Sequence, residues 1–491
     1  MRPFEWLIAA AVMVIAWYWF RGRGLSRLPA QAAALAVIVS ILVEQARVVM
    51  VPAYLVVTVA ALLSLRAPAT SAPKGGWLRI TGRSALALVV VLLGVVVPWL
   101  WPVVKLPTPT GRYAVGTMWL VVRDTTRRER FSSTPGAVRE FPVKVWYPAP
   151  PGTTGTAAPY ALPGELTALG IIPDLLARQV RLVRTHSLMG VPVAQGHAPV
   201  LVFSHGYTGY AAQNTPQMEE LASQGYIVAS IAHPGEAALA PFPDGRSIPV
   251  DSSVRNTIRR ELAAVRKADP MKVFDSIGKA LTVPDPAVRI ANFRAFLKLS
   301  PEPLQTQSVR EWALDTKALL DVFEELNAGA VPSPFRDRLD LERIGIFGMS
   351  YGGATAGEFC RQDRRCKAAV NIDGGQYGGL VDDSLMVPFL ILSSEPNVGI
   401  HVPVLDLTRG PTYLARVPAT THMGLTDMTL QGPVLYRWTG LTGKLDPDRR
   451  EAIMTEFVLG FFEKHLVGKP SLFDSLPGRF PEVQITRRNV P

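Results

Sequence analysis

The stretch LALVVVLLGVVVPWLW, inside the segment Ser84–Val104, contains no charged residue and no polar face. A helix that is apolar on every side has to be buried or to lie in lipid. Three more apolar segments precede it: Phe4–Phe20, Ala30–Val43 and Val48–Leu65. The first and fourth approach the roughly 20 residues that cross a hydrocarbon core. The third is slightly short. The second is the shortest and the weakest candidate, and it reads equally as a buried or re-entrant helix. Residues 1–104 are therefore expected to form a transmembrane segment of four helices. The first run ends in Trp17-Tyr18-Trp19-Phe20-Arg21, without a small-residue cleavage site, so it reads as an uncleaved anchor rather than a signal peptide.

Loop charges orient these spans. Arg21, Arg23 and Arg27 follow the first; Arg66, Lys74, Arg79 and Arg83 follow the third. The positive-inside rule puts both loops in the cytoplasm, so with four spans the chain after Lys105 lies outside, with Trp99 and Trp101 at the outer interface. The net charge of +11 divides accordingly. Nine Lys/Arg against two Asp/Glu precede Lys105, leaving 42 against 38 from there on. Most of the basic excess is thus topology-setting loop charge, and the near-neutral remainder argues against a nucleic-acid partner. The two cysteines, Cys360 and Cys366, are too few for a disulfide scaffold. Their spacing permits one local bridge in an oxidising compartment, or two independent buried thiols.

From Lys105 the pattern changes to short β-rich runs alternating with helical stretches. Phe141–Tyr147 alternates and reads as a half-exposed strand. Val200–Phe203 is continuously apolar, as in a strand buried on both faces. A helix over 216–224, stopped by Gly225, leads to a strand over 226–232. The chain is mostly helical from about Val254 to Asn327, with Trp312, Thr316, Leu319, Leu320, Phe323 and Leu326 on one face of the final helix. Strands are expected at Ile344–Phe347, Ala368–Ile372, Phe389–Leu392 and Tyr413–Val417, and a last amphipathic helix at Arg449–Leu466. This alternation implies an α/β domain over 105–491, its mostly parallel sheet covered by helices on both faces, with a helical cap at about 254–307.

One motif sits where chemistry would need it. Gly348-Met349-Ser350-Tyr351-Gly352 is a G-x-S-x-G pattern between the strand Ile344–Phe347 and a helical stretch, Tyr351–Phe359. Such a turn holds a serine above the sheet in strained geometry, with a helix N-terminus beneath the developing charge. That makes Ser350 a candidate nucleophile rather than an ordinary turn serine. In the order Ser, acid, His, the base must follow it. Three histidines do. His465 falls in the terminal helix and is expected to face solvent; His401 precedes the last strand; His422 follows that strand in a loop and is the expected base. Two carboxylates end strands at the same edge, Asp373 and Glu395. Position alone slightly favours Glu395, and the residues leave the choice open. The oxyanion donors are expected to be the N–H groups of Tyr351 and of Tyr207 in the turn Ser204–Gly209, where His205 reads as structural.

The blocks LVFSHGYTG, LASQGYIVASIAHPG, IGIFGMSYGG, AAVNIDGG and ATTHMGL, in this order, resemble the platelet-activating factor acetylhydrolase family of α/β-hydrolases, plasma and intracellular isoform II with bacterial relatives. The resemblance runs from about FPVKVWYPAP to the C-terminal helix and leaves out the membrane segment. It implies an α/β-hydrolase fold, and an activity like that of a 1-alkyl-2-acetylglycerophosphocholine esterase with no metal or organic cofactor. It also implies Asp373 as the acid beside Ser350 and His422, with Tyr207 and Tyr351 at the oxyanion. Met349 departs from the histidine usual before the serine, and the cap has no clear counterpart. The expected protein is a multi-pass cell-membrane serine esterase with an extracytoplasmic catalytic domain, acting on a lipid or other small ester at the bilayer. The alternatives are a peptidase or a polyester or xenobiotic hydrolase on the same triad, and a non-catalytic membrane sensor using the fold for binding.

Overall fold

The computed structural model describes residues 1–21, 23, 25–65, 77–167, 173–267, 270–299, 303–381 and 383–490. Arg66 and Lys74, two of the charges used to orient the spans, lie outside them. The chain divides into two units.

The first unit is Met1–Lys105 together with Ile172–Val183 and Leu430–Thr439. Three of its helices are long and apolar enough to cross a membrane: Pro3–Phe20, Arg27–Glu44 and Thr81–Leu100. The second segment is thus longer than its apolar core suggests, because Arg27 and Glu44 extend the helix beyond Ala30–Val43. The shorter helix is Val48–Ser64. Small residues face inward: Ala33, Ala53 and Ala60 are buried, and a Cβ on Gly94 would lie 3.1 Å from Val12. Large aliphatic side chains face outward, among them Leu28 (81% exposed) and Leu88 (70%). The buried seam also holds Ile8, Val12 and Val57, so the feature that suits lipid is the apolar exterior, with the small residues letting the helices approach closely. Glu5 and Arg47, both fully buried, pair at 2.7 Å inside the bundle, and Arg2 also pairs with Glu5.

The second unit is built on an eleven-stranded sheet and a two-stranded hairpin. Its strands are Ala114–Arg128 (β1), Val138–Ala149 (β2), Ala157–Pro159 (β3), Arg184–Met189 (β4), Ala198–Ser204 (β5), Ile227–Ile231 (β6), Leu239–Pro241 (β7), Ser247–Pro249 (β8), Leu339–Met349 (β9), Cys366–Ile372 (β10), Phe389–Ser394 (β11), Thr412–Val417 (β12) and Gln484–Arg488 (β13). The order is β13-β12-β11-β10-β9-β5-β6-β2-β1-β4-β3, with β7 and β8 forming the hairpin. The six strands from β12 to β6 are mutually parallel; β2 enters antiparallel to β6, and β1 antiparallel to β2. All residues from Phe141 to Ala149 are buried, so β2 is not the half-exposed strand its alternation suggests. It lies between two neighbours with both faces covered.

Each sheet face carries an apolar layer. On one, Leu319, Leu320 and Phe323 of the helix Pro303–Ala328 and Ala356 and Phe359 of Tyr351–Gln362 pack on Val200, Val202 and Ile346. On the other, Met218 of Thr215–Ser223 and Ile453, Phe457 and Phe461 of Pro447–Phe462 pack on Leu201, Phe203 and Phe347. Met349 joins this second layer, 1% exposed, so its side chain belongs to the core and not to a substrate pocket. His465 is likewise no solvent-facing residue: its ring packs 4.7 Å from Phe461 and 5.7 Å from Tyr413, and burial pushes its pKa down to about 4. Three helices, Ser252–Lys267, Pro270–Leu281 and Pro286–Leu299, occupy the expected cap range. Cys360 and Cys366 are joined by a disulfide.

Candidate active site

Five chain segments meet at one edge of the parallel sheet because parallel strands all end there. β5 runs into Ser204–Gly209, β9 into Ser350, β10 into Asp373, β11 into Glu395 and β12 into the loop before His422.

Ser350 has φ 54° and ψ −114°, a conformation that costs about 1–3 kcal/mol in a non-glycine residue. Its surroundings fix it there. Its N–H donates to the Ile372 carbonyl at 2.7 Å, and its own carbonyl accepts from Gly353 N at 2.9 Å. The flanking glycines make the turn possible. A Cβ on Gly348 would lie 2.2 Å from the Gly352 carbonyl carbon, and one on Gly352 would lie 1.9 Å from the Ser204 carbonyl oxygen.

His422 opens a short 3-10 turn, His422–Leu425, capped by Thr421. The buried guanidinium of Arg450 donates to Gly424 O at 3.5 Å and to Thr442 O at 2.6 Å, tying the segment to its neighbour. Nε2 of His422 lies 2.9 Å from Ser350 Oγ, and Nδ1 lies 2.8 Å from Asp373 Oδ2. With Nδ1–H donating to Asp373, Nε2 is left to accept the serine proton.

Asp373 is 1% exposed and also adopts positive φ, 57°. Asn371 shapes the turn, accepting from Gly374 N and donating to Gly374 O. Only glycine fits at 374, where a Cβ would lie 1.8 Å from Ser350 O. The carboxylate accepts from Ser394 N (2.8 Å), Ser394 Oγ (2.7 Å), Asn397 Nδ2 (2.8 Å) and His401 Nε2 (3.3 Å) besides His422. Burial alone would raise its pKa; the bonds from His401 and His422 prevail and hold it well below the ordinary carboxylate range.

The structure therefore brings Ser350, His422 and Asp373 together and leaves Glu395 out. Glu395 accepts from Arg416 Nη2 (2.7 Å) and Ala419 N (2.9 Å) at the surface. His401 is buried in the helix Val398–Leu407 with Asp373 as its partner. Ser394, Asn397 and His401 were not legible as acid-orienting residues, since nothing in the spacing SSEPNVGIH marks them.

Tyr351 is the first residue of its helix, and Tyr207 lies in the turn after β5. A Cβ on Gly206 would lie 3.5 Å from Ser350 Cβ, so that turn runs alongside the serine. The rings of Tyr207 and Tyr351 are 4.9 Å apart, and Trp312 stands 4.9 Å from Tyr351. His205 is fully buried, donates through Nδ1 to Gly206 O at 2.7 Å, and is pushed by burial to a pKa of about 3. Among the described residues no group of three or more His, Cys, Asp or Glu is arranged to hold a metal ion.

Comparison with known proteins finds ester hydrolases. Residues 101–250 match the family described as platelet-activating factor acetylhydrolase, isoform II, a match that ends upstream of Ser350. A platelet-activating factor acetylhydrolase of Cavia porcellus is 21% identical over 370 residues, covering 74% of this chain and 78% of the relative. One of Gallus gallus is 23% identical over 279 residues, covering 55% and 62%. A ferulic acid esterase from Streptomyces cinnamoneus has a similar structure, with TM-score 0.55 and 28% identity over 78% of this chain and all of that one.

Proposed function

We propose that this chain, a carboxylic ester hydrolase similar to the platelet-activating factor acetylhydrolase family, is a membrane-anchored serine esterase of the bilayer's outer face. Ser350 Oγ attacks the ester carbonyl carbon while its proton passes to His422 Nε2. The carbonyl oxygen becomes an oxyanion held by the N–H groups of Tyr207 and Tyr351. As the C–O bond to the alcohol breaks, His422 returns the proton to the leaving oxygen. Water, deprotonated by His422, then attacks the acyl-enzyme and releases the acid. Asp373 stays ionised throughout and stabilises the imidazolium. The observation that carries this reading is the continuous line from Asp373 through His422 to Ser350, at 2.8 and 2.9 Å, ending on a strained serine at a strand–helix turn.

Three apolar helices support the anchor, and the Cys360–Cys366 disulfide supports an oxidising, extracytoplasmic compartment for the catalytic domain. We take residues 1–104 as the membrane domain and 105–491 as the catalytic domain. A tether favours esters carried in the bilayer, such as phospholipids with short or oxidised acyl chains. A second reading, aromatic acyl esters such as feruloyl esters, is favoured by the partly buried rings of Tyr207 and Tyr377, packed on Tyr351 beside Ser350. Turnover of acyl-chain-varied glycerophospholipids and feruloyl esters, with and without vesicles, separates the two. The lipid reading expects short-chain phospholipid turnover, raised by vesicles and abolished in Ser350→Ala. Preference for the feruloyl ester, indifferent to vesicles, would replace it with the second reading.

A further inference from the structure

Behind the triad lies a second Asp–His–Ser line that the reaction does not use. Asp315 Oδ2 accepts from His233 Nδ1 at 2.8 Å, and His233 Nε2 lies 3.2 Å from Ser204 Oγ. Asp315 and His233 are 0% exposed and Ser204 3%, so no substrate reaches them and the line is not a second active site. Arg139 chelates Asp315 at 2.6 and 3.1 Å, and Arg127 adds a bond at 2.7 Å. His233 is held neutral: burial, aided by the two guanidiniums, outweighs Asp315 and lowers its pKa to about 4.

Its connections show where the line leads. Ser204 begins the turn that carries Tyr207. The loop of residues 233–238 grips that turn at four points. His233 takes the Ser204 hydroxyl, and its N–H donates to His205 Nε2 at 3.3 Å. Thr208 N donates to Glu236 O at 3.0 Å, and Ala238 N to Gly209 O at 2.7 Å. The helix Pro303–Ala328 grips the loop in turn. The Trp312 indole stacks on the His233 ring, 3.8 Å between centroids and 8° from parallel. Trp312 Nε1 donates to Glu236 Oε2 at 2.7 Å, and Ser308 Oγ bonds the other Glu236 oxygen. Position thus passes from helix to loop to turn, through side chains with directional bonds. An apolar filling of the same volume would be at least as stable, since buried charge is costly to desolvate. Directional bonds fix a backbone position more narrowly than apolar contacts do.

We propose that His233, with Asp315 and Trp312 behind it, is a positioning residue that sets where the Tyr207 N–H stands relative to the developing oxyanion. This rests on Tyr207 being an oxyanion donor. A misplacement of about 1 Å in such a group costs on the order of 100-fold in rate, and deleting one donor costs about 100- to 1,000-fold.

The test uses the purified full-length chain in lipid nanodiscs, with active sites counted by fluorophosphonate titration. The variants are His233→Asn, which keeps a donor towards Asp315 and loses the acceptor for Ser204, and Ser204→Ala, which perturbs packing least. For His233→Asn the expected result is kcat per titrated site down about 10- to 100-fold with KM within about twofold. Affinity for a boronic acid transition-state analogue should fall by the same factor as kcat/KM, and Ser204→Ala should move both in the same direction by less. A fall in Tm with kcat per titrated site and analogue affinity unchanged would overturn the proposal, because a merely structural role predicts that pattern. Unaffected variants alongside an active wild type would sink this inference alone. A wild type that the probe never labels would sink the esterase reading and this inference with it.

Discussion

Replacing Asp373 by asparagine should do more than weaken a contact. Oδ1 receives Ser394 N–H and His401 Nε2–H; Oδ2 receives Ser394 Oγ–H, Asn397 Nδ2–H and His422 Nδ1–H. An amide offers one oxygen and one NH2. The Ser394 backbone N–H is the one donor in this set that cannot reverse, so it fixes the amide oxygen at the Oδ1 position. The NH2 then faces the Oδ2 partners, all of which can adapt: Ser394 Oγ can accept, the Asn397 amide can flip, and His422 can move its proton to Nε2. That last change removes the base, because a protonated Nε2 cannot take the Ser350 proton. The expected loss in kcat is about 1,000- to 10,000-fold, or about 4–5.5 kcal/mol, with KM little changed. Glu395→Gln should stay within about twofold, since its partners, Arg416 and Ala419 N, lie away from the imidazole. Steady-state kinetics on a soluble short-chain ester, with circular dichroism to check folding, decides it. Asp373→Asn within tenfold of wild type, or Glu395→Gln falling as far, would refute the reasoning.

Gly352→Ala would drive a Cβ to 1.9 Å from Ser204 O, so fluorophosphonate labelling should disappear even from the folded fraction. Paired Cys360→Ser and Cys366→Ser changes should cost about 2 kcal/mol, as expected for so short a loop, and lower Tm without changing kcat per labelled molecule. In intact cells neither thiol should alkylate until a reductant is added. Glu451 is pushed up to about 7, first by burial and then by the Asp427 carboxylate, against about 4.5 in the unfolded chain. The folded state thus holds the extra proton, and this contribution is complete below about pH 4.5 and lost as pH rises through about 7. Thermal melts should show Tm falling between pH 5 and 8, with Glu451→Gln flattening that fall and raising Tm at pH 8.

Much of the site was legible because its constraints are local. A continuous apolar strand running into G-x-S-x-G leaves the serine little choice of conformation, and the order of histidines along the chain singles out His422. The acid was less legible. Asp373 and Glu395 both follow a strand at the same edge, and position alone leans to Glu395, which in the structure pairs with Arg416 away from His422. What separates them is backbone shape: Asp373 sits at φ 57°, and Gly374 passes against Ser350 O where a Cβ would lie 1.8 Å away. His401 could be weighed as a base but not placed, because its role depends on the helix Val398–Leu407 aiming it at Asp373. The exposure of β2 was misread because alternation reports composition, and only the layers packed on its two faces, Val143, Val145 and Tyr147 in one and Trp146 in the other, bury it. In the first unit, charged helix ends at Arg27 and Glu44 hid the true length of the second helix behind its apolar core.

The central claim is that Ser350 is the nucleophile of an esterase. Its most direct test is to react the purified full-length chain with a fluorophosphonate and map the adduct by mass spectrometry. The account predicts one adduct per chain, on Ser350, formed in step with loss of ester turnover and absent in Ser350→Ala. Full turnover in Ser350→Ala, or an adduct on another residue that tracks the inactivation, would contradict it.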